Sequence, residues 1–487
     1  MKKIILSAAL LATTLMGCSD YLDINHNPNY PGSVSNDLLL PSAEAYIAGR
    51  VGGNMFNYAG FFCQYFEQAP DASQYQDISE YRFTIDMFSN DYALLYAGAL
   101  EDLKNIQTQA EANEAWGDYF VASVLNAYTY QILVDQMDKA PYTEALQGAA
   151  NPMPKWDNGE DIYADLLVKM DEAEAKLNDV SSVPNDMILG GDLEAWKQFA
   201  NAMRLRLLMR GSYAQDNSQA IKDLINKGNF FTGDVKFDNF SDEANKRNPW
   251  YTTNKVELAN NHVASYPIIA YMKATSDPRL DLCFAPAANT GTQEGEIPGS
   301  RQATANDNKK RSDFSTPIMG ATTPVYLYTQ AELQFFLAEA YLRFFNDDAK
   351  AKAAYEAAID ANFETRGITT GGSVLYADGK PCAWSGDQNA KLELIAKQKW
   401  AALCCINHIE SWAEIRRLGY PKMSSISTNS LYTNPTQLTA GELISPLVNQ
   451  LGTGLIKRLY YPQTAVNLND NTPEQAQLSD KVWWDKK

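Results

Sequence analysis

Cysteine is scarce in this chain: six in 487 residues. Cys18, Cys63, Cys283, Cys382, Cys404 and Cys405 include no CxxC pair, so no disulfide framework is implied. Histidine is scarcer: His26, His262 and His408 lie far apart without metal-ligand spacing, and no cofactor or metal ion is expected. No GxSxG, HExxH or glycine-rich phosphate loop occurs, which removes the usual signatures of hydrolase, metalloprotease and nucleotide chemistry. Positive charge is in deficit, 41 Lys and Arg against 59 Asp and Glu, and the basic residues form no block. A nucleic-acid partner needs a basic footprint, so this balance argues against one. Beyond the N-terminal leader, no run is long and apolar enough to span a bilayer.

What is present begins at the N-terminus. Lys2 and Lys3 precede an apolar run from Ile4 to Met16, then Gly17-Cys18, the layout of an export signal over residues 1–17. Leu15-Met16-Gly17-Cys18 resembles a bacterial lipobox. Cys18 is therefore expected to carry lipid after cleavage, which anchors a chain to a membrane without spanning it. Residues 18–35 are rich in Asn, Pro, Asp and Gly and read as an extended tether.

Helical periodicity then dominates. Leu333, Phe336, Leu337, Ala340, Tyr341 and Phe344 recur at steps of three and four, Asn346-Asp347-Asp348 interrupts, and Ala351, Ala354, Tyr355, Ala358 and Ile359 resume the stripe. This helical hairpin resembles one tetratricopeptide unit with a turn about one residue too long. Comparable stripes predict hairpins over 92–132 and 163–207, and a fourth over 392–416 in which the second stripe continues or restarts the first. Arg204, Arg206 and Arg210 fall in the last turns of a helix, as its dipole favours. The reading is an all-α, mainly helical chain of about four tetratricopeptide-like hairpins with long irregular insertions. After residues 1–17 it treats 18–487 as a single domain, with a helical scaffold over about 36–213 and 329–420. Loop-rich insertions fall at about 214–328 and 364–389, and an irregular tail at 421–487.

Several segments, taken in order, resemble the SusD/RagB family of outer-membrane lipoproteins and its SusD-like branch. They are the lipobox followed by YLDINHNPN, DQMDKAPYTEAL at 135–146, GGDLEAWKQFANAMRLRLLMR at 190–210 and YTQAELQFFLAEA at 328–340. LIAKQKWAALCCINHIESWAEIRRLGYP, RLYYPQTAVNLN and the closing WWD complete the series. Asp138 stands where the family's turn usually has Gly, and Ala465 where a Glu is common. The resemblance implies a lipid-anchored protein on the outer membrane, facing outward. It implies capture of oligosaccharides, or in some branches peptides, and delivery to a SusC-like TonB-dependent transporter, without catalysis. A surface glycoside hydrolase is the alternative, since paired carboxylates across a cleft cannot be read from sequence.

Glycan binding needs flat aromatic faces for sugar rings and polar groups for hydroxyls. The loop candidates are Tyr75, Tyr81, Arg82, Trp250, Tyr251 and Trp384. Any loop aromatic equally serves as a plug on the local core. Trp116, Trp196, Trp400 and Trp412 lie on helical stripes and are assigned to packing.

Overall fold

The computed structural model describes residues 34–487 apart from 179–180, 184 and 453. The leader, Cys18 and most of the tether lie outside the described residues. Helices of nine residues or more are α1 (Asn36–Val51), α2 (Asn54–Phe62), α3 (Glu101–Ala112), α4 (Trp116–Met137), α5 (Gly159–Ala175) and α6 (Leu193–Gly211). They continue with α7 (Ser218–Lys227), α8 (Tyr266–Thr275), α9 (Gln330–Ala340), α10 (Asp348–Thr365), α11 (Gln388–Leu403) and α12 (His408–Leu418). The strands are short and pair only in twos. The fold is mainly helical, with long irregular connections.

Each of the four expected hairpins forms a packed helix pair: α3 with α4, α5 with α6, α9 with α10, and α11 with α12. Local chemistry sets their ends. Asp192, Thr329, Asp347, Asp387 and Asn407 each cap the following helix, their side chains accepting from backbone N–H groups two or three residues on. In the α9–α10 turn, Tyr341–Phe345 is wound as π-helix and Asn346 takes a left-handed φ of 53°. A π segment absorbs an extra residue, which accounts for the overlong turn. Between α11 and α12 the helix stops and restarts at Cys404–Asn407, so the last stripe is two helices.

The hairpins bury both faces of α9. Leu333, Phe336 and Ala340 enter the main core, while Ala331, Phe335 and Ala338 join Tyr355, Ala358 and Ile359 in a second cluster. The stretch read as irregular over 214–328 differs from that reading in part, because it holds α7 and α8. The α7 stripe is short, only Ile221, Leu224 and Ile225, with Ile221 alone fully buried, and α8 is apolar on most sides.

Arg206 and Arg210 are not surface complements to a dipole. Both are buried and ion-paired at the centre of the scaffold. Arg206 donates to Glu332 of α9 at 2.7 Å, and Arg210 to Asp135 of α4 at 3.1 Å and to Glu410 of α12. Arg417 of α12 spans Glu339 of α9 and Glu414, and Lys399 of α11 reaches Glu414 at 2.9 Å. Trp484 Nε1 closes the array onto Asp135 at 2.8 Å. One buried network thus ties together five helices and the C-terminal tail. A charge removed from such an array leaves its partner desolvated and uncompensated, at a cost of about 3–5 kcal/mol.

Candidate functional site

Three irregular segments converge on one face. Strand β1 (Phe66–Gln68) pairs antiparallel with β2 (His262–Ala264), with Phe66 opposite Ala264 and Gln68 opposite His262. The loop leaving β1 therefore lies beside the loop entering β2. Ala264 also donates to Ser315 O at 2.8 Å, and Ser265 bridges to Glu296, which brings in the 285–317 insert. Side chains cross-link the three: Gln74 N to Asn261 Oδ1 at 3.1 Å, Arg301 Nε to Ala72 O at 2.8 Å, and Arg311 N to Asp71 Oδ1 at 3.1 Å.

Five of the six sequence-predicted residues belong to this region, at two depths. Tyr75, Tyr81 and Trp250 are buried beneath the face. The Tyr75 ring sits 4.8 Å from His262 and its hydroxyl donates to Asn254 Oδ1. Tyr81 meets Phe62 edge-on, and Trp250 packs on Phe56 and Phe66 while donating to Asn57 Oδ1 at 3.1 Å. Their ring faces are occupied by protein. Tyr251 is half-buried, and Arg82 keeps half its side chain exposed while pairing with Glu80 at 2.8 Å and Asp77 at 3.3 Å.

Trp384 stands apart from the other five. Its ring lies 5.2 Å from Tyr355 on the α9–α10 hairpin and its Nε1 donates to Asp348 at 3.2 Å. Its neighbours Lys380 and Ser385, with Glu393 and Lys397 of α11 and Thr275 of α8, line a groove of about 430 Å³.

Burial sets the protonation states under the loop face. Glu67 accepts from Ser79 Oγ and from Gly299 N, yet loss of solvation raises its carboxyl to about 8. Burial also raises Glu296 well above the carboxylate range, and the charge of Glu67 adds to it. Burial and then the positive charge of Arg311 lower Lys255 to about 8, and burial holds His262 neutral. A glycosidase needs two carboxyls flanking an open cleft. Glu67 and Glu296 are only 2% and 1% exposed, so this coupled pair faces no cleft.

A further surface escaped the sequence reading. Between α3, α4, α5 and the loop after Pro141, a groove of about 530 Å³ collects Tyr119, Tyr130 and Tyr142 with Gln107, Asn126 and Asp165. Tyr142 donates to Asp165 at 2.6 Å and meets Tyr130 edge-on at 4.7 Å. The available signal was Gln107, Tyr119 and Asn126 on the less buried sides of α3 and α4; Tyr130 is a core residue and Tyr142 follows the Lys139–Pro141 strand.

The family model described as "SusD-like_2: Starch-binding associating with outer membrane" matches residues 28–439. The chain belongs to the SusD-like family. Similar solved structures agree in fold. A chitin-binding protein aligns with a TM-score of 0.76 at 22% identity, covering 93% of this chain and 100% of that one. A chitin-binding SusD homolog from Flavobacterium johnsoniae aligns at 0.73 and 20%, covering 92% and 96%. A SusD homolog from Bacteroides uniformis aligns at 0.71 and 21%, covering 92% and 100%. No curated protein matches the sequence. Among the described residues of this SusD-like protein, no helix is long and apolar enough to cross a membrane.

The family turn at Asp138 has a physical outcome here. Asp138 ends α4 at φ 72°, a conformation that suits Gly, and its carboxylate accepts from the backbone N–H of Trp483. Asp138 takes this left-handed turn and anchors the C-terminal tail to it.

Proposed function

We propose that this SusD-like protein captures glycan at the outer membrane and passes it to a SusC-like TonB-dependent transporter, without turning the glycan over. The lipid on Cys18 is its anchor, and its ligand face points outward from the cell. The observation that carries the reading is the family match over residues 28–439, a family described as starch-binding. The chitin-binding relatives of the same fold support a glycan of that general kind.

The loop face takes the ligand. Tyr251 and Arg82 are its accessible contacts, with Tyr75, Tyr81 and Trp250 holding the face from beneath. Trp384, half-buried against Tyr355 beside the groove lined by Lys380, Ser385 and Lys397, is a second candidate contact. Binding is tested by titrating the protein with soluble starch- and chitin-derived oligosaccharides. Tyr251→Ala is expected to weaken binding by about tenfold, the loss of one aromatic contact. Unchanged affinity in Tyr251→Ala and Arg82→Ala, with loss in Tyr142→Ala, would move the site to the tyrosine groove.

A further inference from the structure

Three thiols from distant parts of the sequence meet in the core. Cys283 ends the short helical turn Leu280–Cys283, while Cys404 and Cys405 occupy the break between α11 and α12. Their Sγ atoms lie within 4.8 Å of one another, with Cys404 and Cys405 4.0 Å apart, and all three residues are buried. Consecutive residues do not normally aim at one point, since helix positions diverge by about 100° and strand positions alternate. Here a turn overrides that. Ile406 N donates to Leu403 O at 3.0 Å, Cys404 has φ −57° and ψ 125°, and Cys405 has φ 58°. This is a type II turn whose third residue favours glycine. A cysteine there carries backbone strain, for which apolar packing alone gives no reason.

The surroundings suit a thiolate cluster. Arg366 Nη1 contacts Cys283 Sγ at 3.3 Å, and Arg366 Nη2 is fixed by Ala402 O and Cys404 O. Sulfurs bound at about 2.3 Å to one ion in a trigonal plane stand about 4.0 Å apart. The Cys404–Cys405 separation already has that value. Cys405 also lines a void of about 10 Å³ shared with Met319, a soft thioether.

We propose that Cys283, Cys404 and Cys405 form a binding site for one soft d¹⁰ cation of the zinc, cadmium or copper(I) class. Binding replaces three S–H bonds with three S–metal bonds and releases up to three protons, with no oxidant or reductant required. Thiolate ligands select soft ions over calcium or magnesium. A bound ion ties the 285–317 insert of the loop face, which follows Cys283, to the α11–α12 scaffold.

The test is Cd²⁺ titration of the full-length protein, solubilised in detergent, stripped of metal and kept reduced under anaerobic conditions. Thiolate-to-metal charge-transfer absorption and equilibrium dialysis are the readouts. One Cd²⁺ per chain with ultraviolet charge-transfer absorption is expected, and the same stoichiometry in Cys382→Ser. Cys405→Gly suits the turn, so it is expected to keep the fold by circular dichroism while losing the absorption. Arg366→Lys is expected to bind about 10–100-fold more weakly, as loss of an outer partner does. No charge-transfer absorption in the folded, reduced wild-type protein overturns the proposal, and so does equal absorption in Cys405→Gly.

Discussion

At the scale of single residues, burial decides role more than residue type does. Tyr75, Tyr81 and Trp250 fall among Pro, Asp and Asn in the sequence and read as loop aromatics, yet all three are core plugs. Nothing in the sequence separates them from Tyr251, the immediate neighbour of Trp250, because the face an aromatic presents depends on which distant segment folds over it. Glu67 shows the same dependence. It looks like an ordinary acidic residue, but burial raises its folded pKa to about 8 from the ordinary 4.5. Its stabilising contribution is complete below pH 4.5 and is lost as the pH rises through 8, because the unfolded state gives up its proton first. Glu67→Gln keeps acceptors for Ser79 and Gly299 and carries no such penalty. We expect the fall in Tm between pH 5 and 8 to be shallower in Glu67→Gln than in the wild type. An unchanged slope would show that Glu67 is already ionised in the folded protein.

At the scale of elements, the hairpins were legible because steps of three and four fix a helix face whatever it packs against. Their partners were less so. The stripe at 329–363 predicted a hairpin, and its inner side does pack Phe335 against Tyr355. That α9 is buried on both sides follows only from the placement of the other helices. α7 and α8 are harder to read for different reasons: the α7 stripe is only Ile221, Leu224 and Ile225, and α8 is apolar on nearly every side. Tyr355 is wholly buried and donates to Cys382 O at 2.8 Å. Tyr355→Ala is expected to lower stability by about 3–5 kcal/mol. Ligand affinity should be unchanged in whatever fraction folds, measurable by denaturant titration alongside glycan binding. Selective loss of binding in the folded variant would place the ligand at Trp384, which packs on Tyr355, and not on the loop face.

At the scale of the whole molecule, the motifs that carry the family resemblance are mostly the motifs of the buried ion network. Asp135, Arg206, Arg210, Glu332, Glu339, Lys399, Glu410, Glu414, Arg417 and Trp484 come from five of the segments that resemble the family. They specify how the hairpins dock. This is why the fold was readable from sequence while the proposed ligand face was not: the recognisable residues hold the scaffold, and the loop face is built by irregular segments that carry no helical stripe. Arg417→Ala removes the cation shared by Glu339 and Glu414, leaving Glu339 to Arg343 and Glu414 to Lys399 and Arg210, and is expected to cost about 3 kcal/mol in a denaturant titration. Loss below about 1 kcal/mol would show that Arg343, Lys399 and Arg210 suffice to hold the two carboxylates. Arg417 also holds Glu339 and Glu414 below the usual carboxylate range against their burial. That stability is present above the ordinary carboxylate pKa and is lost as the pH falls through the lowered values, so removing Arg417 should blunt the acid limb of the stability profile.

The central claim is capture without turnover, and it is tested most directly by calorimetric titration of the full-length protein with starch- and chitin-derived oligosaccharides, coupled to a reducing-end assay on the same samples. Saturable binding to at least one glycan with no increase in reducing ends is the predicted result. New reducing ends, or no binding to either glycan class, would contradict it.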